Sequence, residues 1–165
     1  MQDPKSGFLP TTIESCDVLI RTMDVDDAGP ISDLGRTRQD LAFCDWETPE
    51  VLRQAIAGNK GFPQITLNIK TKSIVGFVLA GHDGIRAGLH HLWVDPKFRG
   101  HGIAKVMVER AIEAFLSAPL PVRRIRIASR STSHEAIKFW TNNGFIKTSG
   151  HSAIDQSIVS FYRDI

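Results

Sequence analysis

The spacing of apolar residues changes along this chain, and that change limits the folds it can form. Ile65, Leu67 and Ile69 alternate with polar residues, which is typical of a strand that buries one face, and an apolar run over residues 74–79 follows a turn-like segment. Across residues 103–115 the apolar residues instead recur at helical spacing. Because a sheet and a helix each need an apolar partner, the two patterns together predict helices packed against a sheet.

The order of predicted elements gives the fold class. A strand is followed by two helices, a three-strand meander, a long helix, a strand, a helix and two strand candidates. We therefore expect an α+β (mixed α/β) domain whose central, mostly antiparallel sheet of about 6–7 strands is flanked by about 4 helices. Residues 1–16 have no sustained period and contain Pro4, Gly7 and Pro10, so they are predicted to be an N-terminal arm before a single domain at 17–165.

Several helix ends are marked by residue type. Thr48 is expected to cap the second helix, with Pro49 at its first position and Gly58 at its end. Pro119 and Pro121 are expected to end the long helix, because proline cannot continue a helix.

Length and charge narrow the class of partner. A chain of 165 residues suits one domain with an ordinary core. Its 20 basic and 18 acidic residues give a net charge of +2, which argues against nucleic acid as a partner, although Arg123, Arg124 and Arg126 form a local cluster.

Cysteine spacing and hydropathy bear on compartment and metal binding. Cys16 and Cys44 lie far apart, without the spacing of a disulfide framework or a zinc site, so we expect a reduced, cytoplasmic protein without metal. The longest apolar stretch, Val75–Ala80, is too short to cross a bilayer, and no membrane partner is expected. A homodimer remains open.

The most specific motif runs from a strand at Leu92 through glycines into a helix at Ile103. A helix start presents unpaired N–H groups and the positive end of its dipole, which favours an anion such as phosphate. Gly100 and Gly102 leave room for that anion, and Arg99 supplies a cation. The alternative is an ordinary strand-to-helix turn whose glycines serve packing.

Two segments then resemble a known family. Arg99-x-x-Gly102-x-Ala104, preceded by Val94-x-Pro96, resembles motif A of the GNAT superfamily of acyl-CoA-dependent N-acetyltransferases. Ala136-Ile137-x-Phe139-Trp140-x-x-x-Gly144-Phe145 resembles the family's later helix. The resemblance extends from about residue 18 to the end. It implies acetyl-CoA as co-substrate and transfer of its acetyl group to a primary amine of a small molecule or peptide.

The resemblance also implies a set of cofactor-binding residues. The backbone near Leu92–Val94 is expected to pair with the pantetheine arm, and Arg99–Ala104 to hold the pyrophosphate. Ser133 either contacts the pantetheine or caps its helix. The implied residues are Leu92, Trp93, Val94, Arg99, Gly100, His101, Gly102, Ile103, Ala104, Ser133, Phe139 and Trp140.

A base must remove a proton from the amine before it can attack a thioester. His90 and His91 are adjacent, and neighbours on a strand face opposite ways, so at most one is expected in the cleft. His90 lies where relatives such as the serotonin N-acetyltransferases place a histidine, and it is the predicted catalytic residue. The alternative is a packed or hydrogen-bonded histidine.

The chain departs from the family pattern at its expected acid. Trp140 stands where the family usually has a tyrosine, and an indole cannot give up a proton near neutral pH. Tyr162 is a remote substitute. A second hypothesis is therefore a catalytically weak or inactive acyl-CoA-binding sensor or partner module. Phe43, Trp46 and Trp93 either line an acceptor pocket or pack in the core.

Overall fold

The computed structural model describes residues 9–41, 43–119, 121–148 and 157–165. Within them the chain forms one sheet of eight strands and four α-helices. The strands are β1 (Thr11–Ile13), β2 (Val18–Thr22), β3 (Gln64–Asn68), β4 (Ile74–His82), β5 (Ala87–Val94), β6 (Arg124–Arg130), β7 (Ile146–Lys147) and β8 (Ile158–Asp164). The helices are α1 (Ala28–Thr37), α2 (Pro49–Gly58), α3 (Ile103–Leu116) and α4 (His134–Asn142).

The sheet is mixed, with the order β1-β2-β3-β4-β5-β6-β8-β7. Only β5 and β6 pair in parallel among the described strands. The predicted class, a mostly antiparallel α+β sheet with four helices, is confirmed. The described sheet has eight strands. The additional one is β1, which lies in the predicted arm and, with three residues, is too short to show an alternating pattern.

Part of the predicted N-terminal arm is attached to the sheet. β1 pairs antiparallel with β2. The Arg110 guanidinium, on α3, donates from Nη1 to the Leu9 carbonyl and to Thr11 Oγ1, both at 2.8 Å. Its Nε donates to Gln64 Oε1 at 2.9 Å. The division at residue 16 stays a prediction, but residues 9–13 are tied to the domain.

Two apolar cores lie on opposite faces of the sheet. Helices α1 and α2 pack with β3, β4 and β5 around Phe77 and Trp93. Helices α3 and α4 pack on the other face, with Met107, Phe115 and Phe161 in their core. Ile127 on β6 points into this second core, so its neighbours in the strand face the opposite side, where they are exposed or half-buried.

Candidate active site

A β-bulge in β5 opens the middle of the sheet. Phe77 is paired with Trp93 and Leu79 with His90, so the single residue Val78 on β4 lies opposite two residues, His91 and Leu92. His91 has a φ of 50°, in the left-handed region. An extra residue of this kind bends its strand and raises its twist.

Beyond the start of β5, the neighbouring strand β6 diverges. The two strands are paired only at Ala87 with Ile125 and at Gly88 with Arg126. The later residues of each strand, including Leu92 and Ile127, lie past this two-residue ladder. We call this opening between β5 and β6 the fork.

A groove of about 1180 Å³ occupies the fork. Leu92 and Ile127 line it from the two diverging strands, Ser133 and Trp140 from the segment of α4, and Tyr162 from β8. The groove thus has an apolar floor and can accommodate an extended chain between strands.

A second cavity of about 770 Å³ lies on the α1 and α2 side of the sheet. Trp46, Leu52 and Leu79 contribute to its mostly apolar wall. It shares three lining residues with the groove: His90, His91 and Arg126. We call the place where the groove and the cavity meet the junction.

The turn between β5 and α3 has the conformation that its glycines favour. Gly100 and Gly102 have φ values of 81° and 79°, and a Cβ at either position would meet no atom within 4 Å. The first intrahelical bond of α3 runs from the Val106 N–H to the Gly102 carbonyl at 3.0 Å. The N–H groups of 103–105 therefore precede that bond, at the positive end of the helix dipole.

The Arg99 side chain is used within the protein. Its Nε donates to the Val94 carbonyl at 2.9 Å, and its two terminal nitrogens lie 3.3 Å from carboxylate oxygens of Asp40 and Glu135. The guanidinium thus joins the end of β5 to the α1–α2 segment and to α4. A phosphate at this turn would find the Arg99 cation already shared with two carboxylates.

Asp40 is the carboxylate that accepts hydrogen bonds from both Arg99 and Trp93. Burial raises its pKa, but hydrogen bonds from Arg38 and from the Trp93 indole outweigh that effect, so the pKa of Asp40 lies below its ordinary value. The Trp93 Nε1–H donates to Asp40 Oδ2 at 2.8 Å. Asp40 is therefore ionised at neutral pH and compensates the Arg99 charge.

The other residues predicted to hold the pyrophosphate include His101, Ile103 and Ala104. His101 is exposed, and its Nδ1 lies 3.2 Å from the Phe98 carbonyl and 3.1 Å from the Arg99 carbonyl. Ile103 is buried in the α3 core, and Ala104 packs against it. Because their side chains pack in the core, Ile103 and Ala104 would bind a ligand through their backbone groups.

His90 lies at the junction, with its ring over Gly88. A Cβ at position 88 would lie 2.7 Å from His90 Nε2, so only glycine fits beneath the ring. Displacement of water by the surrounding protein lowers the pKa of His90 below its ordinary 6.5; neighbouring His91 lowers it further, and Glu47 opposes the shift. The neutral ring, which can accept a proton, thus predominates at neutral pH.

His91 also lines the junction, so the expectation that at most one histidine enters the cleft is wrong. The bulge interrupts the alternation of side chains on which that expectation depended. His91 Nε2 is hydrogen-bonded to Glu47 Oε1, and the other oxygen of Glu47 accepts from the Cys44 N–H at 2.5 Å. Glu47 is only 7% exposed.

Sequence reasoning did not identify Glu47. It lies 44 residues before His91 and directly precedes Thr48, the cap of α2, whose hydroxyl accepts from the Val51 N–H. A glutamate beside a helix start is common without any functional role. Its pairing with His91 depends on the fold and has no local signal.

Residues of α4 and its start close the groove. The Ser133 hydroxyl makes no capping hydrogen bond, so of its two predicted roles the cap is not observed, while Ser133 does line the groove. Trp140 is buried between Phe139 and Phe145, with ring centroids 5.0 Å from each. Trp140 lines the groove, whereas Phe139 supports it from behind.

The three aromatic residues considered for an acceptor pocket have different environments. Trp93 is buried in the core beneath α1 and α2. Phe43 packs against the His91 ring, with centroids 4.5 Å apart, and edge-on against Phe77. Trp46 is 66% exposed and lines the second cavity. Only Trp46 of the three lines an open cavity.

Among the residues that the structure describes, no three His, Cys, Asp or Glu side chains gather as a metal site would require. None of the described helices has both the length and the apolar character needed to cross a bilayer.

The comparison with protein families agrees with this geometry. Residues 31–145 match the model of the acetyltransferase (GNAT) family. Because the match spans well over half of the chain, the protein belongs to the GNAT acetyltransferase family.

Solved structures share the fold along nearly the whole chain. Ribosomal-protein-S5-alanine acetyltransferase from Vibrio fischeri is 19% identical, with 95% of this chain and 97% of that one covered and a TM-score of 0.73. PaiA N-acetyltransferase from Thermoplasma acidophilum, in complex with coenzyme A, is 14% identical, with 90% and 99% covered and a TM-score of 0.72.

A third structure contains a bisubstrate analogue. Arabidopsis thaliana Naa50 in complex with CoA-Ac-MVNAL is 17% identical, with 90% of this chain and 99% of that one covered and a TM-score of 0.68. At such identities the likeness is one of fold.

Proposed function

We propose that this protein transfers the acetyl group of acetyl-CoA to a primary amine of a small molecule or peptide by direct attack on the thioester. The observation that carries this proposal is the junction, where a groove long enough for a cofactor arm meets a separate cavity beside His90. Two substrates that enter from opposite sides would meet there, as a direct transfer requires.

The fork and the turn before α3 fit the two parts of coenzyme A. Leu92, Trp93 and Val94 lie past the β5–β6 ladder, and this supports pairing between the backbone there and an amide-containing pantetheine arm. The N–H groups at the start of α3 suit a pyrophosphate. The coenzyme A complex of PaiA and the bisubstrate complex of Naa50 support the same cofactor.

His90 is the proposed base. Bound acetyl-CoA supplies the acetyl group as an activated thioester. His90 accepts the proton that the attacking ammonium must lose, because only the neutral amine has a lone pair. The nitrogen then bonds to the acetyl carbon, the carbon–sulfur bond breaks, and its electron pair stays on sulfur. The second proton of the nitrogen passes to the departing thiolate or to water, which leaves a neutral amide.

No side chain is required to protonate that sulfur. A thiolate of pKa near 8.5 leaves unaided. Trp140 occupies the position of the expected acid, and Tyr162 lines the groove with the Arg124 guanidinium 4.5 Å from its ring centroid. Tyr162 is not essential to this scheme.

The second candidate is a weak or inactive acyl-CoA-binding module, and the observation that favours it is the buried indole of Trp140. Calorimetric titration of acetyl-CoA, followed by measurement of free thiol released with a panel of amines, separates the candidates. Binding with turnover supports transfer. Binding without turnover above background for amino acids, polyamines, aminoglycosides and peptides favours the module, and no binding contradicts both.

A further inference from the structure

Arg126 is a positively charged residue at the junction. It lines both the groove and the cavity and is the second of the two β6 residues in the β5–β6 ladder. Among the described residues no carboxylate lies within 4.0 Å of its guanidinium. By contrast, Arg124 on the same strand is paired with Asp164, at 2.6 Å.

The carboxylates around the cavity have internal partners. Glu47 is hydrogen-bonded to His91 and to the Cys44 N–H. Asp83 accepts the backbone N–H groups of Ile85 and Arg86, which together lower its pKa. Of the two arginines that line the cavity, Arg86 and Arg126, only Arg126 also lines the groove, so Arg126 is the one at the junction.

The rest of the cavity is mostly apolar. Its lining includes Trp46, Val51, Leu52, Ala55 and Leu79. Such a wall stabilises an apolar group by excluding water and binds a run of hydroxyls poorly.

We propose that the acceptor is a small amine that carries both a carboxylate and an apolar side chain, as an apolar α-amino acid does. The Arg126 guanidinium binds the carboxylate, the cavity holds the apolar group, and the amine lies between them beside His90. A carboxylate suits Arg126 because its two oxygens match the fork of a guanidinium. This inference rests on the proposed acetyl transfer and names the substrate class for it.

Acceptor pairs that differ by one group test the inference. We expect kcat/KM for L-phenylalanine, with acetyl-CoA saturating, to exceed that for 2-phenylethylamine, which lacks the carboxylate, and that for glycine, which lacks the ring, each by about tenfold or more. Arg126→Ala is expected to abolish the preference for L-phenylalanine over 2-phenylethylamine. The two amines differ in basicity, but this difference is the same for both proteins. It therefore cancels when the ratio of the two kcat/KM values is compared between Arg126→Ala and the parent.

Arg123→Ala is the matched control, because Arg123 is exposed, lies just before β6 and lines neither cavity. We expect it to keep the preference. Calorimetric titration of the same amines into the protein saturated with coenzyme A provides a readout that needs no turnover. Arg126-dependent binding of L-phenylalanine without turnover would support the acceptor class and contradict the transfer.

Two results overturn the inference. Turnover of 2-phenylethylamine, polyamines or peptide N-termini at least as efficient as that of L-phenylalanine would leave the proposed transfer standing and refute the acceptor class. The role of Arg126 would be refuted if the ratio of kcat/KM for L-phenylalanine to that for 2-phenylethylamine were the same in Arg126→Ala and the parent. Where no turnover occurs, an unchanged affinity for L-phenylalanine would refute it in the same way.

Discussion

His90 and His91 are neighbours in sequence but are held in different ways. His91 is fixed by the Glu47 carboxylate and by packing on Phe43. Among the described residues none forms a hydrogen bond or ion pair with the His90 ring, which lies against Gly88 and lines both the groove and the cavity. An unanchored ring with a lowered pKa is suited to accept a proton, whereas an anchored ring is suited to position the loop that holds it.

The pH dependence of transfer tests the role of His90. Because the pKa of His90 lies below 6.5, the neutral form persists to lower pH, and the acidic limb of kcat/KM should lie below 6.5. His90→Ala should lower kcat/KM by about 100-fold and remove that limb. The measurement is a pH–rate profile, with His134→Ala as the control, because His134 is exposed and lines neither the groove nor the cavity. An unchanged limb in His90→Ala would exclude His90 as the base.

Glu47 holds the α1–α2 segment against the bulge. Glu47→Ala would leave the Cys44 N–H and His91 without their acceptor, so we expect a loss of about 1–3 kcal/mol in the free energy of unfolding. Urea denaturation measures it. Glu109→Ala removes an exposed carboxylate 3.8 Å from Lys105 and should change stability by at most about 0.5 kcal/mol. Equal losses in both variants would contradict a structural role for the Glu47–His91 pair.

At the scale of elements, the turn between β5 and α3 depends on backbone conformation. A β-branched residue at Gly102, whose φ is 79°, would be strained by about 1–2 kcal/mol and would crowd the open side of the turn. We expect Gly102→Val to weaken coenzyme A binding by about tenfold or more, because the N–H groups there would no longer converge.

Gly29→Ala is the control for that variant. Gly29 lies within α1, and a Cβ there would meet no atom within 4 Å, so alanine should leave affinity unchanged and retain or raise stability. Calorimetry gives the dissociation constants, and circular dichroism shows whether Gly102→Val is folded. A folded Gly102→Val protein with unchanged affinity would refute the assignment of pyrophosphate to this turn.

The elements that could be predicted are those with an unbroken pattern. The alternation of Ile65 and Leu67 with polar residues and the caps of α2 at Thr48 and Pro49 are local signals, and the structure has a strand and a capped helix at those places. The bulge had no such signal, because its left-handed residue is His91 rather than glycine. The turn at Gly100 and Gly102 was recognisable from its residues alone, since both glycines have the positive φ for which glycine is preferred.

At the scale of the whole molecule, β1 and α3 are joined across a distance of about 100 residues in sequence by the Arg110 contacts. Arg110 is 7% exposed, and burial lowers its pKa. Deleting residues 1–16 would remove two acceptors of this buried cation. We expect the free energy of unfolding to fall by about 3–5 kcal/mol, measured by urea denaturation.

A second change distinguishes loss of the Arg110 hydrogen bonds from loss of the packing of β1. Arg110→Met in the shortened chain replaces a buried guanidinium that has lost two acceptors with an apolar side chain of similar length. We expect this substitution to restore part of the free energy of unfolding. The same substitution in the full chain should not stabilise to that extent. If the deletion costs nothing, the predicted boundary at residue 16 stands and β1 contributes little.

The two-residue ladder between β5 and β6 has a consequence for folding. With so few bonds across the fork, β1–β5 and β6–β8 are coupled mainly through the core under α3 and α4. A ligand that hydrogen-bonds to both β5 and β6 would add contacts across the fork. It would thereby couple the opening of β1–β5 to that of β6–β8. Occupancy should then appear as slower deuterium exchange at amides of residues 90–94 and 127–130, which would make the cofactor part of the cooperative unit as well as a reactant.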